Sequence, residues 1–276
     1  MRKAGSFAGI FPKNVVQMKI YEYSDAKQVV VCGDIHGAFE TLVYRTSTQY
    51  SMTDTLIIVA GDCGFGFEHP NHYVNLYNGV AKRLKKANNW IVFVRGNHDD
   101  PSYFQEEKIC YERFRCVPDY SVIKACGLDI LCVGGGISID RLSRQREDAR
   151  SKKKERATYW KDEMPVFYEE KIQEFSECCL IDTVVSHTAP SFCPLLDKDG
   201  LKGWAAYDPN LLIDCQMERA IMDKIYQALK DKGHPVYKWY YGHFHQKWAW
   251  KYEDTDFKML DIMEFAIVRS TNTDSD

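Results

Sequence analysis

Five short turns in this 276-residue chain carry the side chains able to do chemistry. They read Gly33-Asp34-Ile35-His36-Gly37, Gly61-Asp62-Cys63-Gly64, Gly96-Asn97-His98-Asp99, Ser186-His187 and Gly242-His243-Phe244-His245. Five of the eight histidines lie in them, and each turn follows an apolar run. Asp34, His36, Asp62, Asn97, His187, His243 and His245 offer oxygen and imidazole nitrogen but no thiolate. That mixture suits manganese, iron, zinc or nickel better than calcium or a structural zinc. Seven donors exceed what one ion needs when positions must stay open for water and substrate, so two ions sharing a carboxylate fit the count. Alternate residues of an extended segment point the same way, which lets Asp34 with His36, and His243 with His245, reach one place. A lone Asp-x-His or His-x-His arises often by chance, and His187 alone would read as a core histidine. The ordered set carries the metal reading. His69, His72 and His234 sit in polar or proline-containing stretches and are expected at the surface.

The elements that must position these turns are strands. The β-branched runs are Gln28–Cys32, Thr55–Ala60, Trp90–Arg95, Asp129–Val133, Thr183–Ser186 and Lys238–Tyr241. Apolar runs of this length bounded by turn residues suit strands buried on both faces. In an open α/β sheet the carboxyl ends of such strands form the crevice where ligands bind. Helical features fill the intervals at Phe39 to Gln49, at Asn71 to Ala87 and at Pro209 to Lys230. For the last, Asp208 is expected as N-cap and Pro209 as the first helical residue, with Gly233 and Pro235 closing the end. The alternation predicts one α/β domain over residues 1–269, followed by a solvated tail at 270–276.

With 45% apolar and 27% charged residues, the composition excludes disordered and low-complexity classes. No apolar run approaches the roughly 20 residues that span a bilayer. The N-terminal MRKAGSFAGIFPK is interrupted too early, at Pro12 and Lys13, for a signal peptide. A cytoplasmic protein is expected. Ten cysteines without a CxxC pair read as small buried hydrophobes in a reducing compartment. Thirty-six basic against thirty-nine acidic residues give a net charge of −3, which argues against strong binding to duplex nucleic acid. Arg141 to Arg156 departs from that balance, with eight basic and three acidic residues. It is either a solvated helix or loop, or a basic flap that draws an anionic substrate into a cleft.

In order, the blocks GDIHG (33–37), GDCG (61–64), GNHD (96–99), SH (186–187) and GHFH (242–245) resemble the calcineurin-like metallophosphoesterase superfamily. The resemblance runs from residue 33 to residue 245. It implies a four-layer α/β/β/α sandwich of two mixed sheets, with a dinuclear metal site at strand C-terminal ends. Carried across position by position, Asp34, His36, Asp62 and His245 would hold one metal. Asp62, Asn97, His187 and His243 would hold the other, with Asp62 as the bridge. The ions are expected to be manganese, iron, zinc or nickel, manganese serving best in vitro. Two such ions, roughly 3.5–4 Å apart, hold a bridging hydroxide in line with phosphorus and neutralise the phosphoryl oxygens. His98 would match the family's non-ligand histidine beside the leaving group, where general acid help is worth roughly 10²–10⁴-fold.

The second block departs from the pattern. Ser/Thr protein phosphatases and dinucleoside-tetraphosphate hydrolases read GDxVDRG there, whereas Phe65 stands here at the position of the histidine-orienting Asp and Gly66 at that of the phosphate-gripping Arg. Arg95, Arg141 and Arg144 are the expected substitutes, Arg95 being equally suited to a structural role at a strand end. The expected activity is hydrolysis of a phosphate mono- or diester. The alternatives are a Ser/Thr-type phosphoprotein phosphatase and a non-catalytic metal-binding scaffold, although no ligand position is replaced. The expected substrate is a phosphorylated small molecule, nucleotide or phosphoprotein. Tyr159, Trp160, Trp204 and Tyr207 are available to line a pocket that stacks a base or phenyl group.

Overall fold

The apolar runs become strands whose two faces serve two different cores. In the computed structural model, which describes residues 18–150, 157–194 and 200–268, β2 (Gln28–Cys32) and β3 (Thr55–Val59) lie side by side and parallel. Leu56 and Ile58 of β3 face one hydrophobic cluster while Ile57 and Val59 face another. β4 (Trp90–Phe93) repeats this, with Val92 on one side and Ile91 and Phe93 on the other. Successive strand side chains point to opposite faces, so a continuous apolar run demands cover on both.

Among the described residues two mixed sheets supply that cover. One has the order β13 (Phe265–Val268), β2, β3, β4, β6 (Phe114–Cys116), β5 (Cys110–Tyr111), parallel at its centre and antiparallel at both edges. The other has the order β1 (Ile20–Glu22), β7 (Ser121–Ala125), β8 (Leu128–Val133), β9 (Thr183–Ser186), β10 (Lys238–Tyr241), β12 (Thr255–Met259), β11 (Trp248–Tyr252). Leu56, Ile58 and Val92 meet Ile130, Cys132 and Val185 between the sheets. The far face of the first sheet is covered by α1 (Phe39–Tyr44) and α2 (Pro70–Ala87), through Leu42, Leu76, Val80 and Leu84. Three short helices are α3 (Ser102–Gln105), α4 (Arg141–Arg150) and α6 (Leu201–Ala205). The far face of the second sheet is covered by α5 (Glu169–Ser176) and α7 (Leu211–Asp231), through Ile172, Phe175, Met222, Ile225 and Leu229. These are the four layers expected from the resemblance.

Several local expectations change. The helix expected over 39–49 stops at Tyr44 and continues as a π-helical turn, Arg45–Gln49, in which the Thr46 hydroxyl donates back to the Leu42 carbonyl at 2.9 Å. α7 begins two residues later than expected, with Asn210 as N-cap, while the Asp208 carboxylate accepts from Arg141 at 2.6 Å and from the Asn210 N–H at 3.1 Å. His234 is buried rather than at the surface, 2.8 Å from the Ser176 hydroxyl and accepting from the Ile181 N–H. Six cysteines are buried and none of the ten is in a disulfide. Among the described residues no helix is long and apolar enough to cross a membrane. The expected tail 270–276 and the basic residues 151–156 lie outside the described residues.

Phe65 sits at the centre of the layer between β4 and α2. It is fully buried against Phe39, Tyr73 and Phe93, with ring centroids 4.9, 5.2 and 5.2 Å away. Truncating a core phenylalanine to alanine removes contacts and leaves a cavity, at about 3–5 kcal/mol. Phe65→Ala is therefore expected to lower the urea midpoint with an unchanged slope. A loss below about 1 kcal/mol would remove Phe65 from the core assignment.

Candidate metal centre

All five turns leave the C-terminal ends of parallel strands, three from the first sheet (β2, β3, β4) and two from the second (β9, β10). The backbone is held in an unusual shape to do this. His36, Asp62, His243 and His245 have φ of 44°, 44°, 70° and 51°, the left-handed region that non-glycine residues seldom enter. Such strain costs roughly 1–3 kcal/mol per residue and persists only where the surroundings impose it. Glycines let the turns approach one another. A Cβ at Gly96 would collide with the Asp62 backbone, and one at Gly242 with the Asp34 carboxylate.

The seven donors predicted from sequence converge. His245 Nε2 lies 3.0 Å from Asp34 Oδ2 and 3.0 Å from His36 Nε2. Ligand atoms of Asp34, His36, Asp62 and His245 all lie within 4.8 Å of one another. On the other side, His187 Nε2 is 3.1 Å from Asp62 Oδ1, 2.8 Å from Asn97 Oδ1 and 3.2 Å from His243 Nδ1. Asp62 belongs to both groups.

The donor chemistry fits cations. His187 Nδ1 is 2.8 Å from the Ala60 carbonyl, an acceptor, so that nitrogen carries the proton and Nε2 presents its lone pair inward. Asn97 Nδ2 donates to the Ser138 hydroxyl at 2.9 Å, which turns Oδ1 inward. Lone pairs of two imidazoles, an amide oxygen and a carboxylate face one another, and only a proton or a cation relieves that arrangement. The local electrostatics point the same way. Burial opposes charge on His187, but the Asp62 and Asp34 carboxylates outweigh it and push the imidazole up to about 9. Burial likewise opposes charge on Asp62, yet His187 and His98 hold its carboxyl well below the usual range.

His98 stands beside the cluster, its backbone N–H donating to Asp62 Oδ1 at 2.8 Å. Arg144 Nη2 is 3.0 Å from its Nδ1 and 3.1 Å from its Nε2, so the guanidinium lies across the ring rather than at one nitrogen. Asp140 (2.8 Å) and the Thr158 carbonyl (3.1 Å) hold the other guanidinium nitrogens. Burial pushes the His98 imidazole down to about 4; Asp62 opposes the fall and Arg144 adds to it. A cavity of about 430 Å³ opens here, lined among others by His36, Phe67, Glu68, His72, His98 and Arg144.

The departures at 65 and 66 have physical counterparts. Phe65 belongs to the aromatic core, and a Cβ at Gly66 would come within 2.5 Å of Asp100 Cβ and 2.9 Å of Trp160. Trp160 occupies that space and packs edge-on against Phe67, centroids 5.2 Å apart. Two of the three expected phosphate-gripping arginines have other partners. Buried Arg95 donates to Asp119 at 2.8 and 3.2 Å and to the Glu163 carbonyl at 2.9 Å. Arg141 is 2.6 Å from both Asp208 and Asp214. Both thus face acidic partners in the structure, and Arg144 alone of the three touches the His98 ring. Sequence reasoning missed Ser138 and Glu163, which support Asn97 from outside the five blocks, and no motif marks them.

No curated protein matches the chain in sequence. Solved structures that this chain matches include a cold-active protein-tyrosine phosphatase of a psychrophilic Shewanella species, at 14% identity and TM-score 0.37, covering 96% of this chain and 83% of that one. A phosphopantetheinyl hydrolase from Mycobacterium tuberculosis matches at 13% identity and TM-score 0.34, over 85% of this chain and 90% of that one. GAP50, the anchor in the inner membrane complex of Plasmodium, matches at 13% identity and TM-score 0.38, over 85% and 71%. Likenesses this distant carry no argument about activity. Residues 27–247, by contrast, match one family along most of the chain. The chain belongs to the calcineurin-like phosphoesterase family, which is a family of metal-dependent phosphoesterases.

Proposed function

We propose that this chain hydrolyses a phosphate mono- or diester with two transition-metal ions held by its five turns. Asp34, His36, Asp62 and His245 would hold one ion, and Asp62, Asn97, His187 and His243 the other. The observation that supports this is the place of Asp62, which adjoins His187 and also belongs to the cluster with Asp34, His36 and His245. When bound, such ions activate a water at neutral pH and neutralise the phosphoryl oxygens.

The chain's own residues would bind and protonate. A guanidinium matches the planar spread of phosphate oxygens, and Arg144 is the one that reaches the cavity beside His98. His98 would take a proton from solvent as the phosphate's negative charge arrives beside it and favours the imidazolium. It then donates to the departing oxygen. The Ser/Thr-type reading is not favoured, since Phe65 and Gly66 replace both of its diagnostic side chains.

Protein stripped of metal and reloaded with Mn²⁺ is expected to cleave p-nitrophenyl phosphate or its bis-ester. Tight metal binding with neither ester cleaved would favour a scaffold instead. His98→Ala is expected to keep both ions and to slow esters with poor leaving groups by roughly 10²–10⁴-fold, activated esters far less. Equal loss on both kinds would rule out the acid role. Arg144→Ala is expected to raise KM roughly 10- to 100-fold, the worth of a charged hydrogen bond, and more at low salt. An unchanged KM would remove Arg144 from the binding site.

A further inference from the structure

The two ends of an asparagine carboxamide are nearly the same shape, yet only one of them can face a cation. The oxygen offers lone pairs, whereas the NH₂ group presents hydrogens. Building on the reading of Asn97 as a ligand, we propose that Glu163 is a positioning residue which, through Ser138, fixes Asn97 with its oxygen toward the second ion.

The direction of a buried hydrogen-bond chain carries the argument. Glu163, Ser138 and Asn97 are 1%, 1% and 2% exposed, so water hardly competes for their hydrogen bonds. The Glu163 carboxylate accepts twice from Ser138, from its N–H at 3.1 Å and from its hydroxyl at 2.6 Å. An ionised carboxylate only accepts, so the single hydroxyl proton of Ser138 is committed to Glu163. The Ser138 oxygen is then left to accept, and it does so from Asn97 Nδ2 at 2.9 Å. The carboxamide oxygen is thereby turned inward, 2.8 Å from His187 Nε2. Reversing Asn97 would leave Ser138 Oγ facing a second acceptor with no proton between them.

Glu163 is itself held in place. Its carbonyl accepts from the Gly136 N–H at 3.0 Å and from Arg95 Nη1 at 2.9 Å. Asp119 fixes Arg95 at 2.8 Å and also accepts from the Gly134 N–H at 2.9 Å. Gly135, at φ 99°, lets the two segments approach so closely that a Cβ there would lie 2.6 Å from the Glu163 carbonyl oxygen. Arg95 therefore serves the metal site by anchoring the residue that orients a ligand.

The test is a Mn²⁺ titration of the full chain followed by EPR, which separates an isolated ion from a spin-coupled pair. It is run at pH 8, above the value of about 7 to which burial raises the Glu163 carboxyl. Glu163→Gln keeps the shape but can accept only one of the two Ser138 hydrogen bonds, and Ser138→Ala removes the relay. Both are expected to weaken the second ion roughly 10- to 100-fold, as loss of a ligand's supporting partner typically does, while the first ion and the Tm stay as in wild type. Asn97→Ala serves as the reference. If it loses the coupled pair while Glu163→Gln and Ser138→Ala retain it, the positioning role is wrong and the ligand reading stands. If Asn97→Ala also retains the pair, the ligand reading fails and takes this proposal with it. Equal weakening of both ions with a lowered Tm would overturn the proposal in favour of a purely structural role.

Discussion

Two carboxylates withdrawn from water, Asp34 and Asp62, meet imidazole and amide lone pairs in the crevice between the sheets, and the rest of the molecule answers to that arrangement. Burying uncompensated charge is costly, as is holding four non-glycine residues at positive φ. No local interaction would sustain it. What does is the rigidity of five parallel strand ends set in apolar cores on both faces. Asp99 completes the frame. It is buried and accepts the N–H groups of Cys63, Gly64, Phe65 and Gly96, which ties the turn carrying Asp62 to the turn carrying Asn97 and His98.

The second turn shows how one substitution redistributes a task. An aromatic at position 65 joins a core of Phe39, Tyr73, Phe93 and Phe104 and cannot also approach His98 with a carboxylate. A glycine at position 66 leaves room for Trp160. The cation beside His98 then comes from α4, a helix far along the chain, and it is aimed by Asp140 one helical turn before it. The strongly basic composition of this segment is thus partly turned inward. Arg141 meets two carboxylates and Arg144 one, so the local field is smaller than the formal charge suggests.

What the sequence made legible follows from which forces are local. Central strands announce themselves because burial on both faces writes an unbroken apolar run, as in Val29 to Cys32 and Leu56 to Val59. Edge strands do not. β11, reading Trp-Ala-Trp-Lys-Tyr, is exposed along most of its length, and β5 spans only Cys110–Tyr111, so neither carries a pattern that differs from loop. α7 starts two residues beyond the place its sequence suggests, and the Asp208 carboxylate there serves both a tertiary partner, Arg141, and the Asn210 N–H. His234 read as surface from its polar neighbours, yet Ser176 and Ile181 satisfy both its nitrogens in the interior. In the site, the seven donors were legible because their turns repeat a grammar of Gly with Asp, Asn or His. Ser138 and Glu163 were not, since their contribution lies in the direction of hydrogen bonds between segments that only the fold brings together.

The two halves of the proposed site differ in their access to solvent, and this orders how a substrate meets it. His187, Asn97 and His243 are at most 2% exposed, closed in by the Gly134-Gly135-Gly136 turn and by Ser138. The side chains of His36 and His245 are 32% and 42% exposed. His36 borders the same cavity as His98 and Arg144. On the proposed function, a phosphate ester would approach from the His36 side, meet Arg144 in its path, and set its leaving group toward Phe67 and His98. The closed half, whose side chains are locked by directional hydrogen bonds, would then supply geometry, and the open half the exchangeable positions that turnover requires. A site built with both halves closed would hold its ions well and admit nothing. One with both halves open would leave the Asp62 carboxylate solvated and weaken the pull on the cations that it is buried to exert.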